Sequence, residues 1–298
     1  MQKQNKKMEK TNYKLPRTVS AVITTCMRTP CVVRRAVDSV LGQSVPVDEI
    51  LIVDYNSDGS SASDAIRDME SLSPLIQYVP FPTEDGLADA RNYGWMKAKG
   101  DWIAFLDDTD EWIPGKIRIQ LELAGKHPDA GMVFGLGQIV NDYTGMMSDF
   151  PQEKFFKTDP TYADILKRDY IGPASNPLIL REAFIAVGGF LTGMQPAQEN
   201  YEMWIRVASE YPVYGIDSVL FLQHTDGQQR SYEDALNDFI GYKNIYLQNQ
   251  GEYDVRKKAK TAIMYNIMRE GIKAKNPAVV PYCFEWAKNA ILARSIGK

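Results

Sequence analysis

Asp101-Trp102-Ile103-Ala104-Phe105-Leu106-Asp107-Asp108-Thr109-Asp110-Glu111-Trp112 opens as a short apolar run and ends abruptly in three aspartates and a glutamate. Runs of that length, rich in aromatic and branched residues, form strands buried on both faces. Carboxylates just past the carboxyl end of such a strand sit where open α/β sheets bind ligands. Like charges crowded together are costly unless a cation neutralises them, and hard divalent metals take oxygen ligands. Asp108-Thr109-Asp110 therefore reads as a metal site for a phosphate-bearing ligand, or else as a solvated acidic turn.

The sequence on the amino-terminal side alternates strand and helix signals. Val19–Thr24 is a first strand, followed by Val33, Ala36, Val37, Val40 and Leu41 at helical spacing up to Gly42. Glu49–Asp54 is a second strand that also ends on an aspartate, and 55–60 is a turn, with Ser60 or Ser61 capping a helix through Ala62, Ala65, Ile66 and Met69. Ile76–Val79 is a third strand, Gly86–Ala98 a helix, and Trp102–Leu106 completes the set. This alternation implies a mainly parallel sheet with right-handed crossovers. Asp54 and Asp108 then lie at one sheet edge, which strengthens the ligand-site reading.

The chain has 298 residues, enough for one large domain or a domain with an appendage. Its net charge of -4 argues against a nucleic-acid partner. No apolar run approaches the ~18 residues of a membrane span, and the N-terminus lacks a signal-peptide core. Cys26, Cys31 and Cys283 have no metal-ligand spacing and suggest reduced thiols in the cytosol. Met1 to Asn12, with Lys3, Lys6, Lys7 and Lys10, reads as a disordered tail, weak contact with an anionic membrane surface being the alternative.

The second half is less regular. Gly131–Phe134 and Gly137–Val140 read as two strands, and Asn141 to Lys157 as a long connection able to cover the site. Gly188 and Gly189 suggest a helix stop and a close approach of backbone. From Ser231 onward the chain reads as helical. Ala235, Phe239, Tyr242, Ile245 and Tyr246 share one face, Ala262, Tyr265, Ile267, Met268 and Ile272 a second, and Phe284, Ala287, Ile291 and Leu292 a third. The divisions expected are a polar tail over 1–17, a sheet domain over 18–230 and a helical region over 231–298, the last an appendage or an interaction module.

Several segments appear in the order seen in family 2 glycosyltransferases. They are Val19–Thr24, Ser39–Ser44, Ile52–Ser57, Ala90–Gly94, Lys99–Asp101 and Phe105–Trp112. The chain resembles a nucleotide-diphosphosugar transferase of the GT-A fold, a Rossmann-like and mainly parallel α/β sheet flanked by helices, here with a C-terminal helical appendage. The resemblance runs from about Val19 to Ser231. It implies a metal-dependent enzyme that transfers a sugar from an activated donor, usually with inversion, to a glycan, glycolipid or protein acceptor.

The resemblance also implies roles. Thr24 and Asp54 hold base and ribose, and Arg91 faces the nucleotide or its phosphates, a surface helix arginine being the alternative. Asp108 and Asp110 form the family's DxD pair for Mn²⁺ or Mg²⁺, with Asp107 a direct or supporting partner. The donor expected is a UDP-sugar ahead of other nucleotide-diphosphosugars. Tyr55, however, stands where relatives carry a second aspartate, so the base stays open. Glu199-Asn200 stands where the family usually has Glu-Asp, the Asp being general base. An amide cannot accept the acceptor's proton, so Asn200 is left to position the acceptor and Glu199 is the base expected. An acid favoured by a helix N-terminus is the other reading of Glu199. His224, after Val219–Leu222, stands where relatives carry a histidine that reaches metal or diphosphate, and is otherwise structural. Cytoplasmic location with at most peripheral membrane contact, and self-association through the C-terminal helices, complete the expectations. A GT-A-fold binding protein that has lost its chemistry is the competing function.

Overall fold

The computed structural model describes residues 18–55, 61–82, 86–150, 156–194, 196–227 and 231–295. The lysine-bearing tail and Asn56-Ser57 lie outside them. Four strands run parallel: β1 (Val19–Thr25), β2 (Glu49–Tyr55), β3 (Ile76–Phe81) and β4 (Trp102–Asp107). Between them lie α1 (Pro30–Leu41), α2 (Ser61–Arg67) and α3 (Leu87–Lys97). Helix α1 shows why these crossovers form where they do. Pro30 starts it without wasting a donor, Val33, Ala36, Val37 and Val40 make its buried stripe, and Gly42 closes it by donating to Asp38.

The rest of the sheet is mixed. After β4 come β5 (Glu111–Trp112), α4 (Lys116–Lys126), β6 (Met132–Asn141), β7 (Met147–Phe150), α5 (Tyr162–Ile165) and β8 (Leu178–Leu180). Then follow α6 (Arg181–Val187), α7 (Pro196–Glu210) and β9 (Val213–Thr225). The strand order is β3-β2-β1-β4-β8-β6-β9-β5, with β7 on β6. β8 is antiparallel to both β4 and β6, whereas β6 and β9 are parallel.

Side-chain alternation sorts the parallel strands into two cores. Val22, Leu51, Val53, Ile103 and Phe105 pack with α3, α6 and α7; Ile23, Ile50, Ile52, Ala104 and Leu106 pack with α1, α2 and α4. Helix α3 lies very close, because a Cβ on Gly94 would stand 2.4 Å from Val22 Cγ1.

Four sequence readings are corrected. Gly131–Phe134 and Gly137–Val140 are not two strands but parts of one, β6. Its glycines look like punctuation, yet they make room for neighbours: a Cβ on Gly135 would meet Leu220, and one on Gly137 would meet Phe221, both on β9. The connection after it is also partly ordered as a hairpin, with β7 antiparallel to β6. The C-terminal region forms α8 (Tyr232–Gln248), α9 (Gln250–Val255), α10 (Lys257–Lys273) and α11 (Val280–Ser295). On α10 the buried stripe is Ala259, Ile263, Met264, Ile267 and Gly271, while Tyr265 and Ile272 are exposed. Gly271 sets that rotation, since it lies against Val279 and Phe239. On α11, Phe284 is exposed and Tyr282, Cys283 and Trp286 pack inward. The side chains of Ile291 and Leu292 fall outside the described residues.

The first helix face was read correctly: Ala235, Phe239, Ile245 and Tyr246 are buried. One apolar cluster runs from Phe105 on β4 through Trp204 on α7 to Ile263 on α10. All three cysteines are free. Among the described residues no helix is long and apolar enough to cross a membrane.

Candidate active site

The carboxyl ends of β1, β2 and β4 meet in register, with Thr24 opposite Asp107 and Thr25 opposite Asp54. Alternation then separates the predicted residues. Thr24, Tyr55 and Asp107 continue the α3 side of the sheet, and Asp54 continues the α1 side. A pocket of about 210 Å³ opens at this edge, lined by Thr24, Cys26, Arg28, Tyr55, Asp107, Asp108 and Thr109 among others. Burial pushes the Tyr55 hydroxyl up to about 12, helped by Cys26 and Asp108, so it stays a neutral donor.

Arg91 ties the α3 side together. It is 1% exposed, and its Nη2 lies 2.6 Å from Asp107 Oδ1. Its Nη1 bonds Glu199 Oε1 and lies 3.0 Å from Asn200 Oδ1. Burial by itself would lower the guanidinium's proton affinity, but Asp107 and Glu199 outweigh it and the net shift is upward. Phe190 lies under the guanidinium, 5.5 Å from ring centre to Cζ. Helix position matters here. Asn92, the next residue, donates to Phe190 O and accepts from Phe190 N, each at 2.8 Å. That clamp needs Gly189 at φ +77°, where a Cβ would strike Asn92. Gly188, at φ +79°, ends α6 as its sequence suggests.

Glu199 is 2% exposed in the first turn of α7. Burial raises its carboxyl to about 7; Arg91 opposes this, and Asp107 and Asp89 add to it. Asn200 is half-buried beside it. Arg91, Asp107, Glu199 and Asn200 are therefore brought together from three distant segments, and the guanidinium stands between the two carboxylates.

The acidic run divides. Asp107, Asp108 and Thr109 face the pocket, while Asp110 is 1% exposed and turned inward. Asp110 Oδ2 accepts from Ser175 Oγ at 2.6 Å, and its carboxylate also receives the His224 backbone N–H. Burial and then Asp107 raise the Asp110 carboxyl to about 8. Burial also raises Asp108, against the pull of Arg28, whose Nε is 3.3 Å from both carboxylate oxygens.

Asp54 and His224 stand apart from the pocket wall. Asp54 is 2% exposed, and its Oδ2 accepts the Tyr78 hydroxyl at 2.7 Å. The His224 ring has Nδ1 2.5 Å from Asp142 Oδ1 and Nε2 2.9 Å from Glu111 Oε1. Arg35 joins this rim, donating to Thr109 O at 2.7 Å and standing 3.5 Å from Glu111. Arg28, Arg35 and Tyr78 were absent from the sequence-based site. Only Tyr78 carried a usable signal, its place on β3 beside the end of β2.

The donor chemistry fits a hard divalent cation. Asp107 and Asp108 stand side by side on the pocket wall, burial raises the Asp108 carboxyl, and a guanidinium already supplies positive charge to it. Among the described residues no three His, Cys, Asp or Glu side chains converge as a complete cage. A cation at Asp108 would thus complete its shell with phosphate and water oxygens, as Mg²⁺ and Mn²⁺ do.

The model of the family "Glycosyl transferase family 2" matches residues 20–188. A glycosyltransferase assigned to teichuronic acid biosynthesis, TuaG of Bacillus subtilis, is 33% identical over 51% of this chain and 58% of its own length. The UDP-Glc:α-D-GlcNAc-diphosphoundecaprenol β-1,3-glucosyltransferase WfgD of Escherichia coli is 29% identical over 61% of this chain and 66% of its own. The chain spans between 52% and 65% of the length of the first three curated relatives it matches. Among solved structures, S. aureus TarS residues 1–349 with UDP-GlcNAc superposes with a TM-score of 0.59 at 13% identity, covering 91% of this chain and 89% of that one. A mannosyltransferase from Pyrobaculum calidifontis with GDP-Man and Mn²⁺ gives 0.57 at 15% identity, over 93% and 80%. These likenesses establish the GT-A fold.

Proposed function

Because the chain belongs to glycosyl transferase family 2, we propose that it transfers a sugar from a nucleotide-diphosphosugar, with inversion and with help from Mn²⁺ or Mg²⁺. The observation that carries this is the junction of two groups at one sheet edge: a carboxylate-walled pocket at Asp107 and Asp108, and the Arg91-held pair Glu199 and Asn200.

In this reading Thr24 and Tyr55 line the nucleotide's path, Tyr55 offering ring area and a neutral hydroxyl. Asp54, whose carboxylate accepts the Tyr78 hydroxyl, receives base or ribose. Asp108 holds the cation, Asp107 supports it, and Asp110 is buried behind them with the His224 backbone N–H on its carboxylate. A bound divalent ion would draw charge from the departing nucleoside diphosphate. Glu199 takes the acceptor hydroxyl's proton; a carboxyl near 7 is well matched to that task at neutral pH. Asn200 orients the acceptor, and Arg91 holds Glu199 in place.

UDP-sugars are the leading donors, supported by the UDP-dependent relative and the UDP-bound structural neighbour. The acceptor is a glycan, glycolipid or protein, and relatives assigned to teichuronic and colanic acid synthesis favour a polysaccharide precursor. We place the catalytic unit at 18–230 with 231–298 as its helical support and surface for self-association. The reaction is assigned to the cytoplasm, with at most peripheral contact at the membrane's inner face.

One observation favours the competing reading of a nucleotide-sugar-binding protein: Arg91 already occupies Glu199, and Asn200 has no basicity. A screen of donor hydrolysis and transfer over UDP- and GDP-sugars, with Mn²⁺, Mg²⁺ and chelator compared, separates the two. Metal-dependent turnover is expected. Metal-dependent binding without turnover in the wild type, with turnover gained in Asn200→Asp, would establish the binding protein instead.

A further inference from the structure

Arg28 follows β1 and reaches into the pocket, where its Nε is 3.3 Å from both oxygens of Asp108. The partners differ in how firmly they are held. The Asp108 side chain is 9% exposed, whereas that of Arg28 is 52% exposed. The carboxylate is fixed just past the end of β4; the guanidinium comes from a loop on a long side chain with several rotatable bonds. That loop includes Met27, which has φ +51° and is 82% exposed. Left-handed backbone at a non-glycine residue is uncommon and costs energy. The next residue, Arg28, lines the pocket. The same pocket is lined by Asp107 and Asp108.

We propose that Arg28 and a divalent cation compete for Asp108, and that the displaced guanidinium binds the donor's diphosphate. The inference rests on the transferase reading above. Two cations cannot share one face of Asp108 without mutual repulsion, which is strong in a partly desolvated site. A nucleotide-diphosphosugar brings two negative charges, and its departing nucleoside diphosphate gains a third. The cation offsets only part of that, so the freed planar guanidinium has an anionic partner within side-chain reach. The arrangement makes the cation a weak ligand by itself and a strong one with the nucleotide. It thereby favours metal and donor arriving together.

Arg28→Gln in the full chain tests this by two binding measurements that should move in opposite directions. Mn²⁺ alone, followed by electron paramagnetic resonance, should bind about fivefold tighter or more in the variant, because its competitor is gone. UDP at saturating Mn²⁺, followed by calorimetry, should bind ~10-fold more weakly, the size of one lost charge-assisted hydrogen bond. Arg28→Lys should recover part of the second effect. A half-exposed side chain is dispensable for folding, and matching circular dichroism spectra verify that. Unchanged or weaker Mn²⁺ binding, or unchanged UDP binding, in Arg28→Gln overturns the exchange while leaving the transferase reading intact. Failure of the wild type to bind UDP in a metal-dependent way overturns both.

Discussion

Asp107 and Glu199 share a single buried guanidinium, that of Arg91, although one ends β4 and the other begins α7. In the proposed reaction this pairing joins the nucleotide side of the site to the acceptor side. Removing it leaves Glu199 buried, and the partly exposed Asp107, without that partner. Arg91→Met is therefore expected to cost about 3–5 kcal/mol, the range for breaking a buried ion pair. Arg91→Lys should recover little, since one ammonium cannot reproduce a fork holding Asp107, Glu199 and Asn200. Urea denaturation of the three proteins measures this; a loss below ~1 kcal/mol in Arg91→Met would contradict the assignment.

The raised carboxyls give a pH dependence of definite sign. Glu199 goes from 4.5 to about 7 on folding, chiefly by burial. Between those values the folded chain keeps a proton that the unfolded chain has released. Stability from this group is thus full below about pH 4.5 and is lost as pH rises towards 7. Asp110, raised from 3.8 to about 8, acts in the same direction over its own window. Thermal melts across this range should show Glu199→Gln with a flatter profile than the wild type. Turnover should do the reverse, rising with pH to a plateau above about 7 as Glu199 loses its proton. Glu199→Gln should lower it by ~10²-fold or more while metal-dependent UDP binding survives. Wild-type turnover in that variant would remove Glu199 from the chemistry.

Asp54 offers a separate test of the nucleotide side. Its Oδ2 accepts the Tyr78 hydroxyl at 2.7 Å. Asp54→Ala should weaken UDP binding by roughly 1–3 kcal/mol. Tyr78→Phe should weaken it less, because the carboxylate remains. Equal dissociation constants for wild type and Asp54→Ala by calorimetry would exclude Asp54 from the site.

Two glycines predict opposite responses to the same change. A methyl on Gly94 would stand 2.4 Å from Val22 Cγ1, between α3 and the sheet. Gly94→Ala is expected to cost about 1–3 kcal/mol through overpacking. Gly251, inside α9, has nothing within 4 Å of a built Cβ. Gly251→Ala should stabilise by about 0.5–1 kcal/mol through reduced backbone entropy loss. Chemical denaturation midpoints decide both.

What the sequence by itself determined is local or periodic. The apolar runs of β1, β2 and β4, the helical stripe of α1, and the stop at Gly188-Gly189 each follow from neighbours a few residues apart. Aspartates at the ends of buried strands then had to lie at one edge of the sheet, because parallel crossovers bring those ends together. Tertiary structure decided what depends on distant partners. Gly135 and Gly137 read as a break because nothing local reveals Leu220 and Phe221 filling the space above them. The rotation of α10 was misread for the same reason, since Val279 and Phe239 choose which face is buried. The acidic run shows the limit most clearly. Its spacing marks Asp108 and Asp110 as equivalent, but Ser175 and the His224 backbone turn Asp110 inward while Asp108 meets Arg28 in the pocket. Spacing records which groups can converge; the sheet's register and the packing of α3 and α7 set which of them do.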